Sequence, residues 1–192
     1  MEALKEKIAK EGQAIGGDIV KVDGFLNHRI DVAFLEQIGQ AFGSAFRDAG
    51  ANKILTIEAS GIAIACAAAR YLGDLPVVYA KKAAPNTMVD GFYETEVTSF
   101  TKRTVSKVII SRSYLGPEDR ALIIDDFLAH GESALGLMDL VEQAGGRVVG
   151  AGAVIEKEFQ GGGARIREKG VPLVSLAVIT SIQDGKIYYR ED

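Results

Sequence analysis

Arg120-Ala-Leu-Ile-Ile-Asp-Asp-Phe-Leu-Ala-His-Gly-Glu-Ser-Ala134 is the stretch on which the reading of this chain turns. Its apolar run, Ala121 to Ile124, predicts a strand buried on both faces of a parallel sheet, ending where Asp125 and Asp126 begin. His130-Gly131-Glu132-Ser133 then supplies the small and polar residues of a sharp turn before a helical pattern resumes over Ala134 to Ala144. N–H groups at such a turn lack intrahelical partners and favour an anion. The segment thus offers an acidic pair for vicinal hydroxyls or a metal-bound sugar and, just beyond it, a socket for phosphate. A phosphorylated ribose suits that combination better than a nucleoside triphosphate, for which the chain lacks a Gly-x-x-x-x-Gly-Lys-Ser/Thr run. Taken alone, the pair also fits a magnesium-binding receiver domain of another doubly wound fold.

Outward from that stretch, strands and helices alternate as in an α/β sheet. Strand Lys53 to Ile57, helix Gly61 to Leu72 and strand Pro76 to Ala80 precede it. Strand Arg147 to Ile155, a Gly-rich turn at Gly161 to Gly163, a short helix and strand Leu173 to Ala177 follow it, and Gly145-Gly146 reads as a helix C-cap. Upstream lie a charged amphipathic helix, Glu2 to Glu11, and a mixed run, Ile19 to His28, that is strand or loop. Asp31 is placed to cap a helix in which Leu35, Ile38, Phe42 and Phe46 recur at core-facing spacing. Lys81 to Ser106 breaks the rhythm: Pro85, Asn86, Asp90 and Gly91 lead into the alternating Tyr93 to Phe100. It reads as a loop merging into a two-stranded ribbon, the kind of excursion that serves as a lid.

The chain's 192 residues suffice for one well-buried domain and are short for two. No apolar run approaches the roughly 18 to 20 residues of a membrane span, and the start lacks a signal-like pattern, so a soluble, cytoplasmic protein is expected. A net charge of −4 gives no general attraction to nucleic acid, so an anionic ligand must be met by local basic groups. The single cysteine, Cys66, is expected to be a small buried hydrophobe of the Ala-rich helix.

Other polar groups fall at the same predicted sheet edge. Glu58-Ala59-Ser60-Gly61 is either a second anion cradle or a plain strand-to-helix turn. Lys81 and Lys82 follow the next strand, with Lys102, Arg103 and Lys107 farther along; they can neutralise a highly charged ligand or form a solvated face. Lys157 offers donors only and Phe159 a stacking face, a pair that suits a flat heterocycle with an exocyclic carbonyl. The same residues also fit a surface charge run beside a core phenylalanine.

The opening stretch resembles the phosphoribosyl-diphosphate (PRPP) motif of the type I phosphoribosyltransferase family: strand, two acids, three residues, then Thr-Gly-x-Thr. Asp125 and Asp126 match the acids, Gly131 the glycine and Ser133 the last hydroxyl, while His130 stands where Thr is usual. The resemblance implies a central parallel sheet flanked by helices, a flexible catalytic loop including Glu94 to Lys102, and one domain over 1–192. Its core would span about 35–160, and a hood would be built from about 1–30 and 157–192. It implies that Asp125 and Asp126 are catalytic and that Ala129, His130, Gly131, Glu132 and Ser133 bind the 5′-phosphate of PRPP. Ala59 and Ser60 would hold pyrophosphate through a cis peptide between them, helped by Lys81 and Lys82. Mg²⁺ would arrive with PRPP, no metal ligand is assigned, and a homodimer is implied.

Met1 to Lys5, Lys21 to His28, Ile54 to Gly61, Ile123 to Ala129 and Ile155 to Phe159 look most like bacterial members of that family that act on xanthine. By that likeness Val20 and Asn27 meet the base, Lys157 its 6-oxo group, and Phe159 lies beside it. Hypoxanthine-guanine members carry Asp where this chain has Ala129, and Ala cannot exchange a proton there. The implied activity is transfer of the phosphoribosyl group from PRPP to xanthine, giving xanthosine 5′-monophosphate and pyrophosphate, with another purine as the alternative. A PRPP-sensing regulator would add a basic DNA-binding region, and this acidic chain has no spare helix-turn-helix. Neither nucleic acid nor membrane is expected as a partner.

Overall fold

Short apolar runs with few charges need cover on both faces, and helices from the intervening segments supply it. The structure, a computed structural model, describes residues 1–82, 91–99 and 104–191. The chain runs α1 (Glu2–Glu11), β1 (Gln13–Ile15), β2 (Ile19–Lys21), a π turn (Asp23–Asn27), α2 (Val32–Phe46), β3 (Lys53–Ile57), α3 (Ser60–Arg70) and β4 (Val77–Ala80). It continues through β5 (Phe92–Ser99), β6 (Thr104–Ser111), β7 (Arg120–Leu128), α4 (Glu132–Gln143), β8 (Arg147–Lys157), a 3₁₀ turn (Glu158–Gln160), α5 (Gly162–Glu168), β9 (Leu173–Gln183) and β10 (Lys186–Tyr189). Six strands form the main sheet in the order β10-β9-β8-β7-β3-β4. All its pairs are parallel except β9 with β10.

Sequence and structure part company mainly at strand ends. β7 does not stop at Ile124: it pairs with β8 through Asp125↔Ala153, Phe127↔Ile155 and Leu128↔Glu156, so the acid pair lies inside the ladder. β8 likewise extends two residues past Ile155, and β9 runs to Gln183 rather than Ala177. Asp184 and Gly185, both at positive φ, then turn the chain into antiparallel β10. That Asp-Gly pair was the readable signal of a two-residue hairpin. Ile19 to His28 resolves into half of the β1–β2 hairpin and the π turn.

One face of the sheet is covered by α1, α2 and α3, whose core includes Leu4, Ile8, Ile38, Phe42, Phe46 and Ile64. Asp31 caps α2 as expected, accepting from the Phe34 N–H at 3.1 Å. The Gly-Ala-Gly-Ala run of β8 has a packing cause: a Cβ at Gly152 would stand 2.8 Å from a Phe42 ring carbon, and one at Gly150 2.9 Å from Phe46. Gly39 and Gly43 let α2 lie close on α3, where a Cβ at Gly39 would stand 2.6 Å from the Ala67 carbonyl oxygen and one at Gly43 would strike Tyr71. Cys66 corrects the sequence reading: it is exposed, because Ile64, Ala65, Ala67, Ala68 and Ala69 take the buried face of α3.

The other face carries α4, α5 and the antiparallel β5–β6 ribbon. The ribbon is tied to the sheet where Lys81 and Ile109 exchange two backbone hydrogen bonds of 2.9 Å, and Val97 rests on Gly136 of α4. Pro85, Asn86 and Asp90 of the expected loop, and Phe100, Lys102 and Arg103, lie outside the described residues. α4 starts at Glu132, two residues before the predicted start. It ends as read, with Gly145 N–H donating to Glu142 O and Gly146 N–H to Val141 O in a Schellman cap.

Gly43→Val should leave the fold recognisable but cost about 1–3 kcal/mol, since no flexible chain end can yield at Tyr71 Cβ. Thermal unfolding should show it as a fall of about 2–4 °C per kcal/mol. An unchanged Tm would mean the two helices do not depend on that contact.

Candidate active site

β7 leaves the sheet at Leu128, and the chain must then reverse into α4 within three residues. Gly131 makes this possible, with φ 87 at the N-cap of α4, where a side chain would be strained. The first N–H groups of α4 have no carbonyl one turn back, so the turn is polarised for an anion. Ala129, His130, Gly131, Glu132 and Ser133 line one wall of a cavity of about 410 Å³. Asp18, Ile19, Thr98, Phe127, Lys157 and Gln160 close the rest of it. The loop and Lys157, read separately from the sequence, thus share one cavity.

Lys157 reaches that cavity from the end of β8. Its Nζ donates to the Asp18 carbonyl oxygen at 2.9 Å and lies 5.9 Å from the Phe127 ring centroid. Burial holds its ammonium below the usual lysine range, opposed by the Asp18 charge. The aromatic wall is Phe127 rather than Phe159, which sits 41% exposed on the 3₁₀ turn and does not line the cavity. Two residues beyond Asp125 on the same strand, Phe127 shares its face, a period-2 signal the sequence already carried. Val20 points its side chain into the core while its neighbours Asp18 and Ile19 line the wall. Asn27 ends the π turn, exposed and off the cavity wall.

The acid pair forms a second centre. Asp125 and Asp126 are both buried, and the Asp126 N–H donates to Asp125 Oδ1 at 2.9 Å. Burial, and then the neighbouring Asp126 carboxylate, push the Asp125 carboxyl well above its ordinary range, with Lys82 pulling the other way. Gly61 lets α3 begin against this pair: a Cβ there would stand 3.1 Å from Asp125 Oδ1 and would strike Thr56 Oγ1. Thr56 is fully buried, with no hydrogen-bond partner for its hydroxyl among the described residues. It is the one polar residue of the run Ile54 to Ile57, and that interruption is the signal the sequence carries for it.

Around the pair lies the expected second turn. Its cis peptide joins Glu58 to Ala59, one residue earlier than Ala59 to Ser60, because Ser60 is already the first residue of α3. Glu58 closes the turn by accepting the Lys82 N–H at 2.6 Å. Lys81 Nζ stands 5.7 Å from the centroid of the Tyr79 ring, and Lys107 pairs with Glu94 at 2.7 Å. Among the described residues no group of three or more His, Cys, Asp and Glu side chains could hold a metal ion. Two carboxylates without a third suit an ion that is ligated mainly by its substrate, as Mg²⁺ commonly is.

Residues 31–180 match the phosphoribosyl transferase domain. Over 190 residues the chain is 50% identical to a xanthine phosphoribosyltransferase of Clostridium novyi (strain NT), covering 99% of this chain and 100% of that one. It is 51% identical to the xanthine phosphoribosyltransferase of Clostridioides difficile (strain 630), with the same coverage. The adenine phosphoribosyltransferase structure from Leishmania donovani superposes with a TM-score of 0.73 at 21% identity, covering 92% of this chain and 80% of that one. At that identity the likeness speaks for the fold.

The raised Asp125 carboxyl sets a pH dependence. Its folded value exceeds the ordinary 3.8, so its contribution to stability is complete below that value and is lost as pH rises through the folded one. Asp125→Asn, which keeps the oxygen that accepts from Asp126, should therefore match or exceed the wild type in ligand-free stability at pH 8, by up to about 1 kcal/mol. The advantage should shrink toward pH 4. A Tm lower than wild type at pH 8 and equal to it at pH 4 would reverse the electrostatic assignment.

Proposed function

The chain belongs to the phosphoribosyl transferase family, and we propose that it transfers the 5-phosphoribosyl group of PRPP to xanthine, releasing pyrophosphate and xanthosine 5′-monophosphate. The observation that carries this reading is the single cavity bounded on one side by the 129–133 turn and on another by Lys157. A nucleoside monophosphate has those two ends. Phosphate sits against the first turn of α4, where N–H groups and the helix dipole favour it. The base lies near Phe127 with Lys157 donating to a 6-oxo group, an acceptor that adenine lacks.

Asp125 and Asp126, beside that cavity and just before Phe127 on β7, take the ribose hydroxyls. The C1–oxygen bond then breaks with cationic character on the sugar, so a carboxylate pair in a dry site stabilises the developing charge. Asp125 and Asp126 are the residues that would support an Mg²⁺ ion arriving with PRPP, which would supply positive charge to the diphosphate leaving group. Lys81, Lys82 and the Ala59–Ser60 turn receive the diphosphate. The β5–β6 ribbon acts as the lid that keeps water out, a role supported by Thr98 on the cavity wall. Val20 meets the base through its main chain, since its side chain is core, Asn27 approaches from the π turn on the 2-oxo side, and the aromatic face beside the base is that of Phe127 in place of Phe159. Segments 1–30 and 157–192 serve as the hood of one domain spanning 1–192. A homodimer in the cytoplasm completes the proposal; among the described residues no helix is long and apolar enough to cross a membrane.

Side-by-side assay of xanthine, hypoxanthine, guanine and adenine with PRPP and magnesium tests the reading, with xanthine expected to give the highest kcat/KM. PRPP binding without turnover on any base would instead indicate a sensor. Lys157→Ala should lower kcat/KM for xanthine about ten- to hundredfold and narrow the preference over adenine, as loss of a charge-assisted hydrogen bond does. Unchanged ratios among the bases would remove the lysine from base selection.

A further inference from the structure

A turn that binds phosphate through its backbone must hold its shape before the ligand arrives, because every ångström of slack is lost affinity and lost alignment. In this chain the turn is gripped from outside by the segment Gln160 to Arg165. The Gly162 N–H donates to the Ala129 carbonyl at 3.0 Å. Arg165 Nη1 donates to the His130 carbonyl at 2.6 Å and to Glu132 Oε1 at 2.5 Å. His130 Nδ1 meets the Gln160 carbonyl at 3.1 Å, which places the imidazole proton on that nitrogen when the ring is neutral.

The approach leaves no spare room. A Cβ on Gly162 would strike the Ala129 carbonyl oxygen and stand 2.5 Å from Gly131 N, and one on Gly131 would stand 3.1 Å from Gly162 Cα. The grip is itself anchored. Arg167 forks onto the buried Glu156 at 3.3 and 3.2 Å, Ser175 Oγ donates to the same carboxylate at 2.6 Å, and Ile166 is buried beneath. A Cβ on Gly163 would strike Glu156, so α5 is pressed against β8 at that point.

We propose that α5 is a splint for the phosphate turn and that Arg165 is its positioning residue, acting through the His130 carbonyl and Glu132 to fix the turn in its anion-binding shape. The inference rests on the phosphoribosyl-transfer reading of the cavity. Arg165 touches no substrate in this scheme. As an ordinary half-exposed ion pair it would do little for stability. Its effect is on geometry, and therefore on one substrate and not the other.

The test uses the full chain with Arg165→Met, which keeps much of the side chain's length and removes its donors. KM for PRPP should rise about tenfold or more and ribose 5-phosphate should bind correspondingly weaker by calorimetry, while KM for xanthine stays within about twofold and Tm barely moves. Arg165→Lys, which restores a charge without the planar fork, should recover part of the loss. Equal rises in both KM values, or unchanged PRPP and ribose 5-phosphate affinity, would overturn the splint. A fall in Tm in both variants with PRPP affinity intact would make Arg165 structural only. Failure of the wild type to transfer phosphoribose to any purine would instead strike the functional reading, and the calorimetry with ribose 5-phosphate would still decide the splint.

Discussion

β7 and β8 pair in parallel out to Leu128 and Glu156, and the site depends on that length of ladder. In a parallel pair both strands deliver their next residues to the same edge, so one register places the Ala129–Ser133 turn and Lys157 on opposite sides of one cavity. Stopping the ladder at Ile124 would leave the acid pair on a loop, with its carboxylates free to turn to water. Inside the ladder Asp125 is fixed, its backbone paired opposite Ala153 and its carboxyl buried beside Asp126. The proton-holding tendency of Asp125 is a product of sheet register as much as of local charge.

The small residues of β8 make this possible. Gly150 and Gly152 give up side chains so that Phe42 and Phe46 of α2 can press on the sheet beside β7. The N-terminal segment is then drawn onto the same layer. The Met1 ammonium donates to the Leu176 carbonyl at 2.6 Å, and Lys7 bridges to Asp31 at 2.7 Å while standing 5.5 and 5.1 Å from the Phe25 and Phe34 ring centroids. That docking brings the β1–β2 hairpin, and with it Asp18 and Ile19, over Lys157. Packing near the middle of the sheet thus shapes the cavity wall at its edge.

Much of this was legible where one residue type has one physical use. Asp31 as a cap, Gly145-Gly146 as a helix stop and the Ala121–Ile124 strand core follow from local chemistry, and the structure has each of them. Strand ends were not, because polar residues that continue a ladder look in sequence like residues that end it, and only the partner strand decides. Cys66 failed for a related reason: in an Ala-rich helix almost every face is apolar, so periodicity does not mark the exposed side. Phe159 lies close to Lys157 in sequence, but the cavity takes its aromatic wall by face of the strand and so from Phe127. The contacts of Arg165 carried no sequence signal, since two of its partners in the turn are a backbone carbonyl and a carboxylate 33 residues away.

Two buried acids on neighbouring strands show how differently the chain treats structure and chemistry. Glu156 is saturated: both its oxygens are held by Arg167, one of them also by Ser175, and Gly163 leaves no space beside it. Such a carboxylate is locked, and removing one partner would strand a charge in the interior. Asp125 is buried beside the like charge of Asp126, an environment that penalises its ionised form, and the one backbone N–H and the more distant field of Lys82 offset this only in part. A group held in that state gains most when hydroxyl donors and cationic charge enter the site with a ligand. The frustration at Asp125 and the saturation at Glu156 are therefore complementary: the second keeps α5 rigid against the sheet, and that rigidity lets the first remain poorly satisfied without the edge of the sheet rearranging to relieve it.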